Sequence, residues 1–188
     1  MVATAFPRTF VPAELDASDF KQIEPLYQQL LSRPVDTVEQ LEKWLADASE
    51  LISVVDEYGS RKYIDKSCHT DDAEIEKRFM QFVEEVEPLI KPLFFKLQQK
   101  FLASPARTQL TGKRYFVLDR KWATDVELYR DENVPIETDI TRIVNEYDKI
   151  SGKMMVTFRG KEYTMQQMTR FTEEPDRATR EEAWRAST

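Results

Sequence analysis

Four neighbouring side chains near the middle of the chain are of types that perform chemistry or bind metals. The segment KSCHTDD holds the single cysteine, Cys68, and the single histidine, His69, followed by Asp71 and Asp72. A zinc site requires three or four converging ligands, and a cysteine nucleophile requires a histidine that arrives from elsewhere in the fold. Adjacent residues of one segment meet neither requirement, so we interpret the segment as a loop whose aspartate caps the following helix. An enzyme built on Cys68 and His69 stays an alternative that a Cys68→Ala substitution would test.

Adjacent acidic residues are the other group that could act as general acid and base. The pairs are Glu84–Glu85, Glu173–Glu174 and Glu181–Glu182. Because 34 of the 188 residues are acidic, we interpret these pairs as parts of solvated helix faces. A phosphate-binding loop is excluded, because the four glycines are scattered. The residues therefore predict no catalytic, cofactor-binding or metal-binding site in this chain.

Composition and charge indicate a mainly α protein. Charged residues make up 32% of the chain and hydrophobic residues 41%, with 4 Gly against 9 Pro, and so few glycines disfavour an all-β fold. The net charge of −7 argues against nucleic acid and anionic lipid as partners. No apolar run approaches the length of about 20 residues that a membrane span requires. We therefore expect a cytoplasmic protein, and one cysteine cannot form an internal disulfide.

The first half of the chain predicts two long helices after an extended lead-in at residues 1–17. Thr37 and Gln40 have the spacing of a capping box, and the apolar period that follows ends between Tyr58 and Lys66. The next helix is predicted from Asp71 to about residue 103. Pro88 and Pro92 within it predict a kink at residues 87–91. The two helices should form an elongated antiparallel hairpin.

Five phenylalanines of the second long helix could be taken for a ligand pocket, but their helical spacing predicts a core. They are Phe79, Phe82, Phe94, Phe95 and Phe101.

The second half predicts shorter helices and one small β-hairpin near residues 154–164. A helix begins after Gly112, and a further helix between Pro135 and Gly152 carries a clean apolar stripe. The stripe consists of Ile136, Ile140, Ile143, Val144, Tyr147 and Ile150. Alternation around Arg159-Gly160 predicts the hairpin, and a capping box at Thr164 and Gln167 predicts the helix after it. A last helix should have Pro175 in its first turn and Trp184 as a packing residue.

Several motifs of this half resemble a known family. They are ELYRDENVPIETD, the helix end NEYDKISG, the hairpin corner GKEYT and the segment PDRATREEAWRA. In this order, over residues 110–188, they resemble the N-terminal region of the oligoendopeptidase F branch of the M3 zinc metallopeptidases. The resemblance implies three regions: the lead-in 1–17, a helical hairpin region 18–108, and a family-like region 109–188 that leads into a catalytic domain.

The chemistry that the resemblance implies lies outside these residues. In the family, two histidines of an H-E-x-x-H helix and a later glutamate bind zinc, and the glutamate within the motif activates a water. The single histidine here, His69, precedes a threonine, so no catalytic or metal residue carries over. The resemblance thus implies an inactive helical wall of a peptidase cleft that admits oligopeptides. Its partner would be its own C-terminal catalytic domain, which holds the zinc.

A second hypothesis is a stand-alone helical interaction or scaffold module without enzymatic activity. A finished module should not expose a large apolar patch on its last helix and hairpin. Exposure of Trp184 and its surroundings would therefore favour the peptidase hypothesis.

Overall fold

The computed structural model describes residues 8–188, and helices account for most of them. The helices are α1 (Phe20–Ser32), α2 (Val38–Cys68), α3 (Ala73–Gln81), α4 (Glu87–Ala103), α5 (Lys113–Leu128), α6 (Asn133–Gly152), α7 (Met165–Thr172) and α8 (Arg177–Ser187). A π-helical segment, Phe82–Val86, joins α3 to α4, and a 3-10 turn, Arg107–Gln109, precedes α5. Strands β1 (Met155–Phe158) and β2 (Lys161–Thr164) form the antiparallel hairpin. The mainly α fold with one small β-hairpin is confirmed.

Side-chain caps fix where the long helices begin. Thr37 accepts the backbone N–H of Gln40 at 3.2 Å, and Gln40 accepts that of Thr37 at 3.3 Å, so the predicted capping box is present. The cap of α3 is Asp72, whose carboxylate accepts the N–H groups of Glu74 and Ile75. The prediction of Asp71 as this cap was wrong by one position. The carboxylate that accepts these N–H groups belongs to Asp72, the residue directly before the first helical residue, Ala73. Helix α2 also extends past its predicted end, to Cys68.

Aromatic contacts show that α2 and α3 run antiparallel. The rings of Tyr58 and Phe82 have centroids 5.2 Å apart, and those of Tyr63 and Phe79 are 6.0 Å apart. As residue numbers increase along α2, the numbers of the residues that they contact in the next segment decrease. This geometry confirms the predicted helical hairpin.

The second arm of the hairpin contains an irregularity just upstream of the predicted kink. The backbone is π-helical at Phe82–Val86, where the N–H of Glu87 donates to the carbonyl of Phe82. The predicted kink at residues 87–91 stays a prediction, and α4, which contains Pro92, begins at Glu87. A proline lacks an N–H and clashes with the carbonyl four residues earlier, so Pro88 disturbs the turn before itself.

The chain divides into two compact units, and the first extends to Ile140. At the centre of its core, the Trp122 ring meets Trp44, Phe94 and Phe101 edge-on, with centroids 6.4, 6.0 and 5.1 Å away. The buried Trp44 indole donates to the carbonyl of Leu30 at 2.9 Å. Edge-to-face packing and a satisfied indole N–H are typical of well-packed aromatic cores.

Residues 8–17 hold no helix or strand but contribute to this core. Val11 and Ala17 are buried. The carboxylate of Glu50 in α2 accepts the backbone N–H groups of Thr9, Phe10 and Val11. The predicted lead-in also includes residues 1–7, which lie outside the described residues. The predicted limits of the three regions, 1–17, 18–108 and 109–188, stay predictions.

The second unit, Thr141–Thr188, is built around the hairpin. Arg159 and Gly160 have φ angles of 52° and 77°, as a two-residue turn between twisted strands requires. Fully buried hydrophobic residues in this unit are Phe158, Met168 and Ala183. The Thr164–Gln167 capping box of α7 is confirmed.

The start of α8 differs from its prediction. Its cap is Asp176, which accepts the N–H of Thr179 at 2.8 Å. Pro175 therefore lies before the cap and not in the first helical turn, which corrects the prediction.

Across the described residues, no helix combines the length and the apolar character needed to cross a bilayer.

Candidate functional site

Residues 69–72 form an exposed loop. Cys68 ends α2, and the Nδ1 atom of His69 lies 3.0 Å from the carbonyl oxygen of Asp65, one turn earlier. Within residues 8–188, no three His, Cys, Asp or Glu side chains are placed so that they could hold a metal ion. The interpretation of a loop with a capping aspartate is confirmed, with Asp72 as the cap.

The acidic pairs considered as acid–base groups lie on exposed helix or loop surface, as their interpretation predicted. Two other carboxylates lie beside Lys91. Its ammonium contacts Glu137 at 2.7 Å and Glu87 at 3.2 Å. Desolvation lowers the pKa of Lys91, but its hydrogen bonds to the two carboxylates outweigh this effect and leave the pKa raised. The group is thus a charge-compensated contact between helices.

The aromatic set packs in the interior, and one member, Phe101, also borders a cavity. Phe79, Phe82 and Phe101 are buried, and Phe95 stacks on Tyr129 with centroids 4.1 Å apart. Partial burial and a hydrogen bond to Asp131 raise the pKa of Tyr129 to about 12. The core position that helical spacing predicted is therefore confirmed for the buried members of the set.

A cavity of about 460 Å³ lies in the first unit beside the start of α5. Residues that line it include Phe101, Arg107, Lys113, Phe116 and Asp119. The Arg107 guanidinium donates to both carboxylate oxygens of Asp119, at 2.9 and 2.5 Å. The charge of Arg107 is therefore compensated by Asp119, and the cavity is lined by both polar and aromatic side chains. The sequence did not predict this cavity, because its walls come from three separate segments.

The most unusual surface belongs to α6. Helix formation up to Gly152 agrees with the sequence, but the side chains of the predicted stripe are exposed to solvent. Ile143 and Tyr147 have exposed fractions of 69% and 67%. The buried residue of this helix is polar Asn145. Within residues 8–188, the apolar face that the sequence of α6 provides for packing is therefore exposed.

The part of this face in the second unit consists of Ile143, Val144, Tyr147 and Ile150, and we call it the outer α6 face. Their positions at 143, 144, 147 and 150 lie within about a third of a turn around a helix. Fully burying such side chains contributes about 1.5 to 3 kcal/mol each. Since between 49% and 69% of each of these residues is exposed, about 4 to 8 kcal/mol of burial is unrealised. This free energy is large beside the stability of a typical domain.

Other apolar side chains of the second unit are exposed as well. They are Met154, Met155 and, on the last helix, Trp184 with an exposed fraction of 58%. Periodicity identified Trp184 and the α6 stripe as packing residues, but it does not indicate which segment covers them.

Comparison with known proteins gives matches of two kinds. The family model described as Peptidase M3 N-terminal domain matches residues 10–129. Among solved structures, the chain is similar to PZ peptidase A with inhibitor 2, at a TM-score of 0.77 and 24% identity over 95% of this chain. It is also similar to a chain described as oligoendopeptidase F, at a TM-score of 0.78 and 25% identity over 96% of this chain. No curated protein matches the chain significantly.

The matches differ in extent from the motifs of the sequence. The family model covers the helical first part, which the sequence motifs left without a diagnostic feature. The two structural matches cover nearly all of this chain but 32% of each of the other chains. The chain thus spans about a third of the length of these two peptidase structures.

Proposed function

The chain belongs to the family of M3 peptidase N-terminal domains, and on this premise we propose that it is the non-catalytic N-terminal portion of an oligoendopeptidase-like zinc metallopeptidase. The complete protein hydrolyses peptide bonds in oligopeptides, and this portion forms a helical wall of the substrate cleft. The observation that carries the proposal is the superposition of nearly the whole chain on one third of two peptidase structures.

The zinc of such an enzyme does not fit the residues of this chain. His69 is the sole histidine of the sequence and is not followed by glutamate, and residues 8–188 provide no cluster of metal ligands. Zinc and its activated water therefore belong to a separate catalytic portion in this proposal. The residues of this chain contribute shape and packing to the cleft, and no step of hydrolysis is assigned to them.

The proposed partners are the catalytic portion of the same protein and an oligopeptide substrate. A net charge of −7 and a single cysteine support a cytoplasmic protein that binds neither nucleic acid nor membranes. Exposure of Trp184, Met154 and Met155 weighs against the alternative of a finished scaffold module.

A chimeric enzyme tests this function. The matched third of oligoendopeptidase F is replaced by this chain, and hydrolysis of quenched fluorescent oligopeptides is compared with that by the remaining two thirds alone. We expect the chimera to be at least tenfold more active and the 188-residue chain alone to be inactive with added zinc. A chimera no more active than the remainder, or zinc-dependent hydrolysis by this chain alone, would contradict the proposal.

A further inference from the structure

We propose that the outer α6 face is the surface on which the catalytic portion of the peptidase docks. The inference rests on the proposed function, because the occupant it names is the rest of that enzyme. It goes further by assigning the contact to Ile143, Val144, Tyr147 and Ile150 among all exposed apolar residues of the described chain.

The design of α6 is the first argument. Its apolar residues recur every three or four positions, which is typical of a helix with one face in a core. Here that face is exposed, and Asn145 on the other side of the helix is buried. An isolated surface helix of a finished protein has the opposite arrangement, so the outer α6 face has the composition of an interface.

The size of the second unit is the second argument. It has 48 residues, from Thr141 to Thr188, and its fully buried hydrophobic residues are Phe158, Met168 and Ala183. Units of this size without disulfides or metals rarely have sufficient cores of their own. Burial of the outer α6 face would enlarge the apolar core of this unit.

The chemistry of the face indicates the kind of occupant. All four side chains are uncharged, and the unit carries nine Lys and Arg against eight Asp and Glu residues. Because these charges nearly cancel, the unit has no strong positive electrostatic potential that would attract nucleic acid or anionic lipid. An uncharged face of this kind suits an apolar protein surface. Two thirds of each structural relative lie beyond the matched region, which supplies a protein segment of sufficient size as the occupant.

A binding experiment with a matched control tests the assignment. The 188-residue chain is titrated with the separately expressed remaining two thirds of oligoendopeptidase F, and the dissociation constant is measured by calorimetry. We expect Ile143→Asp to weaken binding at least tenfold. The control, Ile64→Asp in α2, changes an isoleucine of similar exposed fraction, 57% against 69%, and should alter the constant less than twofold. Circular dichroism verifies that both variants stay helical.

The outcomes separate this inference from the proposed function. Equal binding by wild type and Ile143→Asp would overturn the surface assignment while leaving the proposed function intact. No binding by the wild-type chain would also overturn the docking inference, whereas an inactive chimera contradicts the proposed function. Light scattering should show the chain alone as a monomer. Self-association that Ile143→Asp abolishes would assign the face to a second copy and overturn the inference.

Discussion

At the scale of single residues, Glu50 contributes more to the fold than its sequence context indicates. Its carboxylate accepts the N–H groups of Thr9 and Phe10 at 3.0 Å and of Val11 at 2.8 Å. Burial raises the pKa of this carboxyl, but the hydrogen bonds to its charged form outweigh burial, so the pKa lies below its usual value. Glu50 thereby attaches the N-terminal segment to α2.

Substitution of Glu50 by glutamine should lower the free energy of unfolding by about 1 kcal/mol at neutral pH, because charge-assisted hydrogen bonds at a partly exposed site are lost. A carboxyl whose pKa is lower in the folded state stabilises above its unfolded pKa, and this contribution disappears as the pH falls through the folded pKa. Urea denaturation of wild type and Glu50→Gln should therefore show a difference in the free energy of unfolding that becomes smaller at acidic pH.

The matched control for this prediction is Glu24→Gln on α1, an exposed glutamate. It should change the unfolding free energy by less than about 0.5 kcal/mol. If the unfolding free energies of wild type and Glu50→Gln differ by the same amount in acid as at neutral pH, the Glu50 carboxylate does not stabilise the fold in its charged form.

At the scale of elements, the contact between α2 and the π-helical segment depends on a glycine. A Cβ atom added at Gly59 would lie 2.9 Å from the Cε1 atom of Phe82. Phe82 is buried and also packs on Tyr58, so its ring has little room to move. The close approach of the two helices at the irregular turn therefore requires a residue without a side chain at position 59.

Gly59→Ala should destabilise the protein by about 1 kcal/mol. Alanine normally stabilises a helix interior by up to about 1 kcal/mol relative to glycine, but overpacking against a buried ring costs about 1 to 3 kcal/mol. Chemical denaturation measures the net effect. In a Phe82→Leu background, Gly59→Ala should lower the free energy of unfolding by less. A stabilising effect of Gly59→Ala in the wild type would show that the added methyl group does not clash with Phe82.

The hairpin turn should control the order of α8. The Arg159 guanidinium donates to Glu182 at 2.7 Å and to the Thr179 hydroxyl at 3.0 Å, so a residue with positive φ connects the turn to the last helix. We expect Arg159→Ala to increase hydrogen exchange severalfold across residues 177–187 and to leave α2 unchanged. Arg159→Gly relaxes the backbone but removes the same contacts, so normal protection of α8 in that variant would disprove this role.

Local chemistry made several elements predictable from the sequence. The capping boxes at Thr37 and Thr164 and the Arg159-Gly160 turn depend on residues at most three positions apart. The start of α3 at Asp72 was missed by one position, because two adjacent aspartates offer the same capping group. Pro88 indicated an irregular helix, and the π-helical backbone lies just before it, at Phe82–Val86, because a proline disturbs the residues that precede it.

Contacts distant in sequence account for what could not be predicted. The partners of Glu50 are backbone N–H groups about 40 positions away, and every residue type except proline carries such a group. The periodicity of α6 predicted an apolar face but not that it would be exposed. Glu137, which contacts Lys91, is likewise 46 positions away from it in the sequence.

At the scale of the whole molecule, the two compact units differ in how far their cores are complete. The first unit has a large core around Trp44, Trp122 and Phe101, whereas the second has few buried hydrophobic residues and the exposed outer α6 face. The family match at residues 10–129 and the similarity of nearly the whole chain to one third of two peptidases support the proposal that this chain is part of a larger enzyme.

The length of the native polypeptide tests this central claim most directly. An antibody raised against residues 8–188 is used to detect the protein in extracts of its source cells, and its mass is determined by denaturing electrophoresis. Because the chain covers 32% of its structural relatives, we predict a polypeptide about three times as long as this chain. A sole product of 22.1 kDa, the mass of these 188 residues, would contradict the account.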